Sequence, residues 1–335
     1  MRKVILHIGP HKTGSTYLQK MLYENRDKIT AQGVGYADIC KDGLIAHHQL
    51  AEKLINKDFD SANNILQKIF IKSTEDITII SSENFDMLSI EAIEFLANTL
   101  CMNDTVEVKV IFFKRKFDDL IISNWQESIK HGNTQSCYHY LLNHISAPYS
   151  SSVLNITGVL EKYSKYFGKE NLIIIDYNQA KEERKDIIDI FFQSINKPEI
   201  KNIGTKAHIN NSLNYTLVEV IRGLNILFYK KYKKNPYDTI RNKFLLKLKN
   251  KFVESKVDIL IESIEQNLEN INLGETFVFN LLNNQFDKIY QENIINYNKI
   301  NYNKKIISIP NDSWMLDINN TKCLNDIFNY LDNEE

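Results

Sequence analysis

The sequence has no long apolar run, no clustered cysteines and no excess of either charge, and each absence removes a class of protein. No segment approaches the roughly 18–20 consecutive apolar residues that span a bilayer. The run Val4-Ile5-Leu6 behind Met1-Arg2-Lys3 stops at His7 and Gly9, too soon for the apolar region of a secretory signal, so a cytoplasmic location is expected. The four cysteines, Cys40, Cys101, Cys137 and Cys323, lie far apart with no C-x-x-C pair. That spacing argues against a zinc site and against a redox motif, and reads as reduced thiols. With 41 Lys and Arg against 42 Asp and Glu, the net charge of −1 gives no reason to expect nucleic acid as a partner. There is no internal repeat. What remains is a chain of 335 residues, long enough for one large α/β domain or a domain with a substantial appendage.

What is present is an alternation. Short apolar runs at Val4 to Ile8, Ile77 to Ile80, Val106 to Phe113 and Leu172 to Ile175 are separated by helical periodicity over Thr16 to Asn25, Ile90 to Leu100, Phe117 to Ile129 and Ile187 to Ile195. Strands alternating with helices predict a P-loop-like, doubly wound parallel sheet flanked by helices. From about Leu213 to Ile300 strand signals fade and helical patterns take over, with Leu217, Ile221, Leu224 and Phe228 on one repeating face and a break at Asn235-Pro236. The expected organisation is an α/β core over 1–212 and a mostly helical C-terminal subdomain with its tail over 213–335.

Ligands of doubly wound sheets sit beyond the carboxyl ends of the strands, so the residues after each run matter most. After the first run comes Gly9-Pro10-His11-Lys12-Thr13-Gly14-Ser15-Thr16, a loop that restarts as a helix and so forms a ready anion cradle. A nucleotide-hydrolysing P-loop reads G-x-x-x-x-G-K-[ST]. Gly9 and Gly14 have that separation, but Ser15 stands where the lysine would be, and the lysine has moved into the loop as Lys12. The expectation is phosphate binding without the metal chemistry of a kinase.

After the second run comes Glu83, at an address where a carboxylate with a pKa raised by a partly buried cleft can act as a base. Its plainer alternatives are to cap the following helix or to pair with Lys12. After the third run, Arg115 and, two helical turns on, Ser123 supply a guanidinium fork and a hydroxyl of the kind that hold a phosphate monoester. Trp125 reads as a core residue more readily than as a channel wall. His47 and His48 lie in an early helical stretch.

His11-Lys12-Thr13-Gly14-Ser15-Thr16-Tyr17-Leu18-Gln19 resembles the phosphosulfate-binding loop of sulfotransferases that use 3′-phosphoadenosine-5′-phosphosulfate (PAPS), especially the bacterial and heparan-type carbohydrate branch. Tyr166 to Tyr177 and Asn210 to Leu213 resemble later segments of the same branch. The resemblance implies PAPS as donor, 3′,5′-adenosine bisphosphate (PAP) as product, no metal, and a hydroxyl or amine of a carbohydrate as acceptor. It implies that Lys12, Thr13, Gly14, Ser15 and Thr16 hold the 5′-phosphosulfate, that Lys12 acts on the transferring group, and that Arg115 and Ser123 bind the 3′-phosphate. It also implies Glu83 as catalytic base and a place for His47 and His48 along the acceptor site. Lys206 or His208 would reach the cofactor. One departure is Phe117, where the family often has proline. Two other readings stay open: a kinase or nucleotidase using ATP and Mg²⁺, and a non-catalytic protein that binds anionic glycans.

The stretch 230–252 holds Lys230, Lys231, Lys233, Lys234, Arg241, Lys243, Lys247, Lys249 and Lys251 against Asp238 alone, interleaved with Phe244, Leu245, Leu246, Leu248 and Phe252. It reads as a solvated basic face, a glycan dock or a contact with an anionic membrane surface.

Overall fold

The computed structural model describes residues 2–39, 45–101, 106–201, 203, 213–272, 277–295 and 306–333. Cys40, Lys206, His208 and the segment 210–212 singled out above lie outside them. In chain order the first elements are β1 (Arg2–His7), α1 (Ser15–Glu24), α2 (Arg26–Thr30), β2 (Val34–Gly35), α3 (His48–Ile55), α4 (Phe59–Lys72), β3 (Ile77–Ser81), α5 (Ile90–Leu100), β4 (Val106–Lys114), α6 (Phe117–Lys130) and α7 (Cys137–Ile145). There follow α8 (Ile156–Phe167), β5 (Leu172–Asp176), α9 (Tyr177–Glu182), α10 (Ile187–Ser194), α11 (Tyr215–Tyr232), α12 (Thr239–Lys247), α13 (Lys251–Gln266), β6 (Leu268–Asn272), α14 (Phe277–Tyr290), β7 (Ile306–Pro310) and α15 (Ile318–Asp332).

The chain forms two compact units. One comprises 1–116, 155–209 and 283–300, the other 117–154, 210–282 and 301–335. The chain passes between them repeatedly, so a single cut after residue 212 does not describe the packing: 117–154 cluster with the helical unit, and 283–300 with the sheet.

The first unit holds a five-stranded sheet in the order β2-β3-β1-β4-β5, with every pairing parallel. The four apolar runs are its four longer strands. They are legible because a parallel strand covered on both faces is apolar at successive positions. Ile5, Ile79, Ile111, Phe113 and Ile175 pack with Leu18, Met21 and Leu22 of α1 and with Ile188, Phe191 and Phe192 of α10 in one continuous core. On the other parity Val4, Leu6, Ile80, Val110 and Phe112 are equally buried, and there α8 packs against β4 and α5. The winding reverses at β1, with β3 on one side and β4 on the other. That is the switch point at which an open α/β sheet leaves a crevice beyond its strand ends.

The edge strand β2 escapes sequence reading because two residues carry no period. In the second unit, β6 and β7 pair antiparallel, from Leu268 opposite Pro310 to Asn272 opposite Ile306. Strand structure therefore does occur within the stretch whose pattern predicted helices alone. The segment Leu268-Glu269-Asn270-Ile271-Asn272 is mostly polar, and it is a strand because β7 supplies its backbone partners. The polar core of this unit is Arg222 of α11. It bonds Glu219 at 2.9 Å while Trp314 Nε1 donates to the same carboxylate, and both members of the ion pair are buried. Trp125 is fully buried, its Nε1 donating to the Gln135 carbonyl, which makes it a core residue.

Candidate active site

The loop between β1 and α1 has three left-handed residues: Gly9 (φ 101°), Lys12 (φ 67°) and Gly14 (φ 80°). Gly9 is required twice over. Its φ disfavours any other residue, and a Cβ there would sit 2.9 Å from the carbonyl oxygen of Glu83. This close approach brings the end of β3 against the phosphate-type loop. Gly14 caps α1 with no side-chain hydrogen bond, and the first turn of α1 contains no acid, so the positive end of the helix faces the loop without a competing carboxylate. Lys12 holds a left-handed conformation at a cost of about 1 kcal/mol, a strain typical of residues fixed by their surroundings. Thr13 is buried, its Oγ1 donating to the Pro10 carbonyl at 2.7 Å, so its side chain shapes the loop. Ser15 is buried at the first position of α1 and Thr16 is exposed one residue on.

β4 ends at Lys114, with Arg115 and Lys116 following directly, and the three side chains part company. Lys114 is buried and pairs with Asp287 at 3.2 Å over the ring of Phe286. Lys116 pairs with Glu182 at 3.0 Å. Arg115 alone turns to the loop, where its guanidinium donates to the Lys12 carbonyl and lies over the ring of Tyr177, with the ring centroid 5.5 Å away. Ser123 sits half-buried on α6, in the second unit.

Glu83 opens a short 3₁₀ turn over Glu83–Met87. Ser82 is the capping residue, its Oγ accepting from the Asn84 N–H at 3.3 Å, so capping is not the task of Glu83. The Glu83 carboxylate is enclosed by three side chains. Gln19 Nε2 donates to its Oε2 at 2.6 Å, His48 Nε2 stands 3.8 Å from the same oxygen, and His11 Nδ1 stands 3.9 Å from Oε1. Burial alone would raise the pKa of this carboxyl. The hydrogen bond from Gln19 and the charges of His48 and His11 outweigh burial and hold it below the ordinary glutamate value. The sequence led to the opposite expectation, because it shows the cleft and not the donors inside it. Nearby Asp86 goes the other way, pushed up to about 8 by burial first and by the charge of Glu83 second. The two carboxyls of one turn are thus held in different protonation states at neutral pH.

The paired histidines divide. His47 is buried, its Nδ1 accepting from the Ser81 N–H at 3.1 Å while its own N–H donates to the Ser81 carbonyl at 2.8 Å. Burial lowers its pKa to about 4, so it is a neutral brace for the end of β3. His48, partly exposed, is the member that reaches Glu83, with Nδ1 bonded to Ser82 Oγ at 2.8 Å. His11, whose pKa burial lowers against the pull of Glu83, completes the rim.

Sequence reasoning named neither Gln19 nor His11 as a site residue. Gln19 is buried in the second turn of α1, and its amide orientation is set by two acceptors, Glu83 Oε2 and Ser81 Oγ at 3.3 Å. Ser81 Oγ is in turn bonded to the buried His7 at 2.8 Å. Nothing local distinguishes this glutamine, because its partners lie more than sixty residues away. Replacing it by leucine keeps the volume and removes the donor. We expect the Glu83 pKa to rise in Gln19→Leu, since burial then acts with less opposition. The carboxyl titration, followed by infrared difference spectroscopy, moves to higher pH, and an unchanged titration would remove Gln19 from the site.

In comparisons with known proteins, no family model matches the chain and no curated protein does. Among solved structures, similar chains include the sulfotransferase from Alicyclobacillus acidocaldarius. It aligns at 13% identity and a TM-score of 0.39, over 58% of this chain and 81% of that one. A likeness of that size carries no argument about chemistry.

Proposed function

We propose that this protein is a PAPS-dependent sulfotransferase that moves a sulfuryl group to a hydroxyl, or less favourably an amine, of a carbohydrate, with a cell-surface polysaccharide or glycolipid as the best-fitting acceptor. The observation that carries the reading is one cluster. A glycine-bearing loop has its lysine at position 12 and a serine where a kinase has lysine, it leads into an uncapped helix start, and the backbone of Glu83 is packed against it at Gly9, with the Glu83 carboxylate 3.9 Å from His11 of the same loop. A metal-dependent kinase needs the lysine and the metal-binding hydroxyl in consecutive positions after the second glycine. This chain offers Ser15 and Thr16 there instead.

In this reading the backbone N–H groups from Thr13 to Thr16 hold the phosphosulfate, and Lys12 stabilises the charge that develops on the oxygen bridging phosphorus and sulfur. Glu83, ionised at neutral pH, takes the proton of the acceptor hydroxyl as its oxygen bonds to sulfur. A depressed pKa makes Glu83 a weak base in the ground state. It remains competent because the hydroxyl becomes strongly acidic only as the new bond forms. Gln19 and His48 fix the carboxylate's direction, and His11 stands on its exposed side. Arg115 is assigned to the 3′-phosphate, the role for which the sequence also offered Ser123. A sulfuryl group carries less negative charge than a terminal phosphoryl group, so positioning and electrostatics suffice without a metal, as they nearly do in in-line phosphoryl transfer.

Calorimetry tests the donor. PAP is expected to bind without metal, and ATP with Mg²⁺ is expected to bind at least about thirtyfold more weakly, the scale of losing one charge-assisted phosphate contact of about 2–3 kcal/mol. Tight binding of ATP with Mg²⁺ and none of PAP would overturn the assignment in favour of a kinase or nucleotidase.

A further inference from the structure

The nine Lys and Arg residues of 230–252 face a single acid, Asp238, giving that stretch a formal charge of +8 in a chain whose total is −1. Segregation on this scale is a property of the fold as well as of the sequence, because the stretch is gathered about one point, the last turn of α15. Tyr232 Oη donates to Asp332 at 2.7 Å, and Lys231 pairs with the same carboxylate. Lys243 Nζ donates to the Leu331 carbonyl at 3.3 Å. Asn250 Nδ2 donates to Tyr330 Oη at 3.1 Å, and the Phe252 and Tyr330 rings lie 5.5 Å apart. The end of α11, the length of α12 and the start of α13 therefore form one surface around a helix C-terminus.

Part of this charge has an internal explanation. The carbonyl end of α15 carries partial negative charge and Asp332 adds a full one; Lys243 meets the first and Lys231 the second. Lys230, Lys233, Lys234, Lys249 and Lys251 are exposed around that centre. Among them stand four large hydrophobic side chains on the outside of the protein: Tyr232, whose hydroxyl is tied to Asp332, and Leu246 at 81% exposure, Tyr237 at 70% and Phe252 at 44%. A single exposed leucine is unremarkable, but a leucine, a tyrosine and a phenylalanine within sixteen residues and inside a lysine cluster form a pattern. A purely solvated face gains nothing from them, and a polyanionic sugar, which can pair with the lysines and stack on the two rings, gains nothing from Leu246. A bilayer interface uses both kinds: the lysines meet anionic headgroups while the apolar side chains enter the boundary with the acyl chains.

We infer that the surface formed by 230–252 docks this protein on the face of an anionic phospholipid membrane, with lysines supplying attraction and Leu246, Tyr237 and Phe252 supplying insertion. Among the described residues no helix is long and apolar enough to cross a membrane, so this contact is peripheral. It does not depend on the sulfotransferase reading.

The test is co-sedimentation of the full chain with vesicles of phosphatidylglycerol and phosphatidylcholine, against phosphatidylcholine alone, with dextran sulfate as a soluble polyanion. Two variants separate the contributions: Lys233→Glu, Lys234→Glu, Lys249→Glu and Lys251→Glu combined, and Leu246→Ser with Phe252→Ser. Circular dichroism verifies that both are folded. Each lysine near an anionic surface contributes about fivefold in affinity at low salt, so the charge variant is expected to bind anionic vesicles at least about tenfold more weakly. The serine variant is expected to lose about fivefold on vesicles and to keep its affinity for dextran sulfate. Binding to anionic vesicles that disappears at high salt, together with that split, supports the inference. It is overturned if anionic vesicles do not sediment the protein at low salt. It is also overturned if the serine variant binds vesicles as well as the parent while the charge variant loses vesicles and dextran sulfate alike, since that pattern belongs to a polyanion patch.

Discussion

Lys12→Ala is expected to lose about 2–4 kcal/mol of transition-state stabilisation, or roughly thirtyfold to a thousandfold in kcat with PAPS. The substitution is clean for a structural reason. Position 12 is left-handed, and alanine bears the same Cβ penalty there as lysine, so the loop's backbone strain is unchanged and the loss reports the charge. Lys12→Gly supplies the control, because it relieves the strain as well as removing the charge. If the charge matters, both variants fall together. A glycine variant disabled beside a near-normal alanine variant would mean that the loop's shape matters instead, and near-normal turnover in Lys12→Ala would end the assignment of Lys12. Affinity for PAP is expected to change by less than about tenfold in both, because the backbone N–H groups proposed to hold the phosphate remain.

Glu83→Gln is expected to lower kcat by about a hundred- to ten-thousandfold, the range for removing a general base, with PAP affinity preserved. The glutamine is nearly isosteric, and the contact between Gly9 and the Glu83 backbone is untouched. A protein that only binds glycans would show no loss, so this variant also separates a catalyst from a binding module. The pH behaviour follows from the depressed carboxyl. Because the folded-state pKa lies below the ordinary value, Glu83 stays ionised to lower pH than a free glutamate, and the acid limb of kcat/KM is expected below the usual glutamate range. The same shift carries a sign for stability. A depressed folded pKa contributes stability above the unfolded value, and that contribution disappears as pH falls through the folded one. Glu83→Gln is expected to lack this component, which urea unfolding at neutral and acid pH would detect as a smaller pH dependence.

The four principal strands and four of the helices were legible because buried parallel strands are continuous apolar runs, and glycine breaks mark where such runs end. The loop from Gly9 to Gly14 was legible for the same reason, since punctuation between a strand and a helix is a local signal. So was the position of Glu83 beyond a strand. The environment of that carboxylate was not. Whether it is held protonated or ionised depends on Gln19, His48 and His11, and these reach it only because β1 and β3 are neighbours in register and Gly9 lets their ends touch. The division of labour between His47 and His48 was equally hidden, for adjacent residues at a helix start differ in role only once β3 has packed against one of them.

The antiparallel pair of β6 and β7 and the repeated passage of the chain between two units belong to the same class of information. A polar strand exists only through its partner, and a unit's membership is set by which faces bury one another rather than by position along the chain. By itself the sequence determined the sheet, the phosphate-type loop with Lys12 in place of a kinase lysine, and the basic content of 230–252, because these are written in runs, breaks and counts. Tertiary structure alone decided that Glu83 is an ionised carboxylate held by Gln19, and that the lysines of 230–252 surround one helix end with Leu246 and Phe252 among them. Charge state and surface pattern are sums over neighbours in space, and those neighbours lie far apart in the chain.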